Sequence, residues 1–149
     1  MRILVDADSM PVRVREIIVR HAVRRKIEAL FVSNHPIPVP EASGIGTEIV
    51  DDADERIAEL AGVTDLVVTH DIPLAARVVE RGAVVITERG ERYSQENVRT
   101  RLSSRNFAMD MREAGLLEQR GHPFGKKDIQ AFANALDREL ANRDNGRQG

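Results

Sequence analysis

The first eleven residues, Met1-Arg-Ile-Leu-Val-Asp6-Ala-Asp8-Ser-Met-Pro11, decide how the rest of the chain is read. Ile3-Leu4-Val5 is an uninterrupted apolar run, the mark of a strand buried on both faces, and such strands belong to parallel sheets covered by helices. A buried strand that ends in carboxylates delivers negative charge to one edge of that sheet. In an extended segment residues two apart leave the same face, so Asp6 and Asp8 are expected to point together. A helix follows from Val12, after Pro11: Val14, Ile17, Ile18 and Ala22 recur at helical spacing, with Arg13, Arg20, Arg24 and Arg25 on the other faces.

The alternation continues along the chain. Ala29-Leu-Phe-Val32 is a second strand closed by Ser33-Asn34, and the alternate prolines of residues 35–40 then impose a loop, because each removes a backbone donor. Residues 47–50 read as a third strand, 52–61 as a helix closed by Gly62, 65–69 as a fourth strand, 73–80 as a helix closed by Gly82, and 83–86 as a fifth strand. Strands alternating with helices imply right-handed crossovers. The fold class is therefore α/β: a three-layer α/β/α sandwich around a mainly parallel sheet of about five strands. Ser94 is placed to cap a helix that passes Val98 and Leu102 and continues or restarts through Phe107 and Met111 to Gly115. Ile129, Phe132, Ala133, Leu136 and Leu140 form the apolar stripe of a last helix. With 149 residues and no internal repeat, one domain is expected over residues 1–141, with 142–149 a disordered tail.

Composition narrows the chemistry. No stretch approaches the roughly 20 apolar residues that span a bilayer, and the N-terminus has no basic-then-apolar leader, so a cytoplasmic protein without membrane contact is expected. The chain has no cysteine, which excludes disulfides, zinc-thiolate sites and thiol nucleophiles; any metal must be held by oxygen or imidazole. A net charge of −2 conceals an uneven spread. Residues 41–88 hold eleven acids against three arginines, whereas 89–127 hold nine basic residues against five acids, so an acidic centre and a basic rim come from different segments.

Ligands of open parallel sheets bind beyond the carboxyl ends of the strands. There the first strand offers Asp6 and Asp8, the second Ser33-Asn34, the third Asp51-Asp52, and the fourth Thr69-His70-Asp71. Asp54 shares a helical stripe with Ile57, Ala58 and Ala61, which turns it from the first helical turn towards the sheet. Each acid taken singly has a structural use, since Asp51, Asp52 and Asp71 all stand where helices are capped and Asp54 suits a helix dipole. Their convergence is what carries weight. Crowded carboxylates repel one another unless protonated or neutralised by a cation. Hard oxygen ligands suit Mg²⁺ or Mn²⁺, which activate water and stabilise phosphoryl oxygens, so metal-dependent phosphodiester cleavage is the chemistry implied.

The segments VDADSMP, VSN, DDADERI, LVVTHDIPLA and ERGERYS resemble the YaiI/YqxD family of bacterial proteins, over most of the chain. The resemblance implies a PIN-like fold, shared with metal-dependent ribonucleases and flap-type nucleases. By that resemblance Asp6, Asp54 and Asp71 are the catalytic acids; Asp6, Asp8, Asp51, Asp54 and Asp71 are candidate metal ligands for Mg²⁺ or Mn²⁺; and Ser9, Asn34 and Thr69 are their polar support. The pattern departs in one respect, because PIN nucleases often carry a further acid late in the sheet and here only Glu88 stands there. Arg89, Arg92, Arg99, Arg101 and Arg105 follow the fifth strand and are candidates for gripping the phosphates of a nucleic acid, with RNA the expected partner. Aromatic content of 3% leaves few rings for stacking bases, so backbone recognition must dominate. A homo-oligomer remains open.

Two other functions compete. Asp6-x-Asp8 also resembles the nucleophile and acid pair of haloacid-dehalogenase-type phosphatases, but Asp51-Asp52 precedes Thr69 and no lysine lies between Lys26 and Lys126, against the motif order of those enzymes. A non-catalytic RNA-binding or adaptor protein on the same fold is the other. Among the histidines, His21 lies on the apolar face of the first helix and reads as a core residue. His70 neighbours Asp71 but is left outside the set, and His35 and His122 are loop residues with no partner apparent in the sequence.

Overall fold

A computed structural model describes residues 1–101, 103 and 123–148. The elements are β1 (Arg2–Asp6), a 3-10 turn (Ala7–Ser9), α1 (Val12–Arg25), β2 (Glu28–Ser33), β3 (Ile45–Ile49), α2 (Ala53–Leu60), β4 (Leu66–Val68), α3 (Ile72–Glu80), β5 (Val84–Ile86), β6 (Arg92–Tyr93) and α4 (Lys126–Gln148). They build one six-stranded sheet in the order β3-β2-β1-β4-β5-β6, parallel throughout except for the β5–β6 pair. No helix among the described residues is long and apolar enough to cross a membrane.

Strand periodicity sorts the side chains into two cores, which makes the three layers. Ile3, Val5, Phe31, Leu66 and Val68 face α1 and α4, where they meet Val14, Ile18, Phe132, Leu136 and Leu140. Leu4, Val32, Val67 and Val85 face α2 and α3, where they meet Ile57, Leu74 and Val78. Phe132, Leu136 and Leu140 are fully buried, each contributing about 2 kcal/mol of apolar transfer, which is what docks α4.

The structure differs from the sequence reading in three places. A sixth strand is present because the chain after β5 reverses through a tight turn, with Thr87 N donating to Glu91 O at 2.9 Å and Gly90 N to Thr87 O at 2.9 Å. Two residues, Arg92 and Tyr93, are too few to show a period. Helix α4 runs to Gln148, through the segment expected to be a disordered tail; Arg143 bonds Glu139 one turn back at 3.2 Å and Thr64 O at 2.7 Å, which anchors the helix beyond its apolar stripe. A helical turn does open after Ser94, whose carbonyl accepts from Val98 N at 2.9 Å. The cap is made by Asn97, whose Oδ1 accepts from Ser94 N at 2.8 Å. The expected continuation through Leu102, Phe107, Met111 and Gly115 lies outside the described residues.

Gly90 joins the new strand to α4. Its φ of 85° is left-handed, and a Cβ there would sit 2.7 Å from the Ala131 carbonyl oxygen. Gly90→Ala therefore incurs both backbone strain and a collision with a helix backbone that cannot retreat. Chemical denaturation should register a loss of about 2–4 kcal/mol.

Candidate functional site

Chain order locates the site. From β1 the chain runs outward through β2 to β3, then returns to the other side of β1 and runs outward through β4, β5 and β6. The crevice where an open sheet reverses its winding lies beyond the carboxyl ends of β1 and β4, and ligands of such sheets bind there. Asp6 ends β1 on the face of Leu4, towards α2 and α3; Thr69 lies two residues beyond Val67 on the same face. The two meet across the crevice, Thr69 Oγ1 donating to Asp6 Oδ2 at 2.8 Å. Ser9 Oγ lies 3.2 Å from the same oxygen and 3.0 Å from the Asp6 carbonyl. Thr69 Oγ1 in turn accepts from Asp71 N at 3.0 Å, and Asp71 Oδ1 caps α3 by accepting from Leu74 N at 3.0 Å.

Asp54 enters from the first turn of α2, where its carboxyl stands against that of Asp71. Burial first, then that contact, then the charges of Asp6, Asp71 and Asp52 push Asp54 up to about 6 from its ordinary 3.8. Asp6, 5% exposed, is also held above its ordinary range, chiefly by burial, against the opposing effects of Thr69, Ser9 and the His70 charge. Asp6, Asp54 and Asp71 thus converge, and Asp6 and Asp54 are held above their ordinary range. Among the described residues no group of three or more His, Asp or Glu side chains is placed to hold a metal ion as it stands. Asp6 Oδ2 and Asp71 Oδ1 are turned to internal donors, and each carboxylate has a second oxygen besides.

The other expected ligands fare differently. Asp8 does not share a direction with Asp6, because the chain leaves β1 through the Ala7–Ser9 turn rather than staying extended. Its Oδ2 accepts from Asn34 N at 2.8 Å, and its Oδ1 lies 3.0 Å from His35 Nδ1. Asp8 and Asn34 therefore tie the end of β1 to the end of β2, and His35, read as partnerless, is part of that tie. Asp52 caps α2 through Glu55 N at 3.0 Å; Asp51 is exposed past β3, two strands from β1. Ser9 and Thr69 both hydrogen-bond the Asp6 carboxyl. His70, left out of the expected set, stands beside the site with Nδ1 3.3 Å from Glu88 Oε2, a buried oxygen with no hydrogen-bond donor among the described residues. Glu88 itself lies two residues past the end of β5. His21 fits its reading as a largely buried helix residue, bonded to Arg24 at 3.1 Å.

Three arginines of the expected basic rim are engaged in ion pairs within the chain. Arg89 pairs with Asp128 at 3.1 Å, Arg92 with Glu139 at 2.9 Å and Arg101 with Glu91 at 3.7 Å. Two of these partners belong to α4 and their bonds fasten that helix to the sheet, so phosphate gripping by Arg89 and Arg92 would compete with packing. Arg99 is exposed, beside Glu80 and Gln95 in a surface hollow, and Arg105 lies outside the described residues.

The family described as "Uncharacterized BCR, YaiI/YqxD family" matches residues 4–142. The chain belongs to the YaiI/YqxD family. Relatives of this YaiI/YqxD-family chain extend over nearly its whole length. It is 46% identical to a UPF0178 protein of Syntrophobacter fumaroxidans, over 96% of each chain. It is 46% identical to a UPF0178 protein of Treponema pallidum, over 95% of this chain and 82% of that one, and 45% identical to one of Myxococcus xanthus, over 94% of each. No solved structure matches the chain.

Proposed function

We propose that this YaiI/YqxD-family protein is a divalent-cation-dependent nuclease that hydrolyses phosphodiester bonds, with RNA as substrate. The observation that carries this reading is the contact between Asp54 and Asp71 beside the buried Asp6, at the winding reversal of the sheet. A carboxyl held up to about 6 by burial and by neighbouring acids is one whose charge a bound cation would relieve. The donor set is all oxygen, which suits Mg²⁺ or Mn²⁺, and the chain has no thiol to favour a softer ion. Bound between Asp6, Asp54 and Asp71, such an ion would supply Lewis-acid stabilisation and a more acidic water. The protein's own part is positional. Thr69 and Ser9 fix Asp6, Thr69 also fixes the backbone of Asp71, and the α3 cap fixes its side chain. The PIN-like resemblance, with acids at these three positions, points the same way. A phosphatase using Asp6 and Asp8 as a pair is disfavoured, because Asp8 is committed to the β2 loop.

Calorimetric titration with Mn²⁺, run beside an RNA cleavage assay with and without chelator, tests the proposal. Mn²⁺ should bind with release of protons near pH 6, and cutting should stop on chelation. Absence of Mn²⁺ binding would overturn it. RNA binding that ignores metal, without cutting, would replace it by the adaptor reading.

A further inference from the structure

The sheet ends at β3 in a bare edge. The ladder to β2 uses alternate residues, with Ala29 N donating to Gly44 O at 3.0 Å at one end and Val50 N donating to Ser33 O at 2.8 Å at the other. The backbone groups of Ile45, Thr47 and Ile49 therefore point outward. Ile45 N is held by Ala42 O at 3.1 Å, whereas the Thr47 N–H and C=O, the Ile49 N–H and the Ile45 carbonyl have no partner among the described residues. Proteins usually blunt such an edge with lysine, proline or a bulge. The β3 sequence Ile-Gly-Thr-Glu-Ile has no lysine or proline, and its register with β2 is unbroken. Glu48 is its one charge, paired with Arg56 at 2.5 Å on the α2 face.

Two features on the opposite face, the α1 face, complement each other. Ile49 is 56% exposed. Ile45, on the same face of the strand, borders a hollow of about 530 Å³ between β3 and the proline loop, with Ile37, Val39 and Ala42 in its lining. We propose that β3 pairs antiparallel with β3 of a second copy of this chain, about a two-fold axis at Thr47. In that register Thr47 exchanges both backbone bonds with its counterpart, and Ile49 N–H donates to the Ile45 carbonyl of the second copy. Ile49 of each copy then lies beside Ile45 of the other, over the apolar hollow. Glu48 comes opposite Gly46, so no two charges face one another along the strand pair and the Glu48–Arg56 bond is left intact. One patch meets itself, as a two-fold interface requires. A contact of this size makes a reversible dimer. Because the joined strands run in opposite directions, the two acidic crevices open at opposite ends of the common sheet, and each is complete without the other. The inference stands apart from the nuclease reading.

Sedimentation velocity over a concentration series tests it on the parent, Ile49→Lys, Thr47→Pro and, as a control, Val63→Lys, which changes a 74% exposed valine away from this edge. The parent should pass reversibly from monomer to dimer mass as concentration rises. Ile49→Lys puts a charge on the edge, and Thr47→Pro removes an outward N–H without touching the ladder to β2. Each acts twice in a symmetric pair and should raise the dissociation constant by about tenfold or more. Val63→Lys should leave it unchanged. Thermal melts check that each variant folds, and if Thr47→Pro does not, Ile49→Lys carries the test. The register is read with Thr47→Cys: the chain has no other cysteine, and oxidation should link two copies through residues whose Cα atoms lie about 5.5 Å apart in such a pair. A dimer that ignores Ile49→Lys, or that Thr47→Cys cannot link, would overturn the inference. So would a parent that stays monomeric throughout, which would leave the edge to an extended segment of another protein.

Discussion

Asp6→Asn is expected to lower Mn²⁺-dependent RNA cleavage by more than about 100-fold with the fold retained. The bound on the effect follows from position. Changing a residue that merely supports a metal ligand costs about 10- to 100-fold, and Asp6 is proposed as a ligand itself. Retention of the fold follows from shape, since asparagine keeps an oxygen for the Thr69 hydroxyl at 2.8 Å and for Ser9 at 3.2 Å. It also relieves the burial of a charge, which is the main reason the Asp6 carboxyl is held above its ordinary range. Kinetics and a thermal melt on the same preparation check both halves. A variant that cuts as well as the parent would remove Asp6 from the chemistry.

Asp54 predicts a stability that runs against the usual trend. Its carboxyl titrates at about 6 in the folded chain and near 3.8 when ordinary, so between those values the folded state holds a proton that the unfolded state has lost. Stability from this group is therefore full below about pH 4 and declines as pH rises through about 6. The metal-free protein should be more stable at pH 5 than at pH 7 on account of Asp54, and Asp54→Asn should flatten that slope and raise the melting temperature at pH 7. Cation binding acts in the opposite sense, because it requires the ionised form. Mn²⁺ at about 100 times its dissociation constant adds roughly 2.7 kcal/mol, or about 5–10 °C for a chain of this size. That gain should appear in the parent at pH 7, shrink at pH 5, and vanish in Asp54→Asn. An identical Mn²⁺ response in parent and variant would show that the cation binds elsewhere.

How much of this was legible in the sequence depends on the range of the interaction. The period of two in β1 and the helical stripe of α2 are local patterns, and they were enough to turn Asp6 and Asp54 towards one crevice. The direction of Asp8 was not legible, because it depends on whether three residues stay extended or turn, and the Ser9 hydroxyl folding back onto Asp6 belongs to the turn. The ion pairs of the arginines after β5 were not legible for the opposite reason. Their partners Asp128 and Glu139 lie far along the chain on α4, and nothing near Arg89 or Arg92 announces them. The partners of His35 were illegible for the same reason, because the loop that carries it is pinned by Arg15 and Ser33, contacts that only the folded chain supplies.

The bond between Asp6 and Thr69 joins residues 63 positions apart, across the seam where the two halves of the sheet meet. Neither half contains a working centre. During synthesis β1 emerges early and pairs with β2, but the acids confront one another only after β4 has docked. If the proposed nuclease reading holds, a chain halted before that point would cut nothing, and activity would double as a gauge of completed assembly.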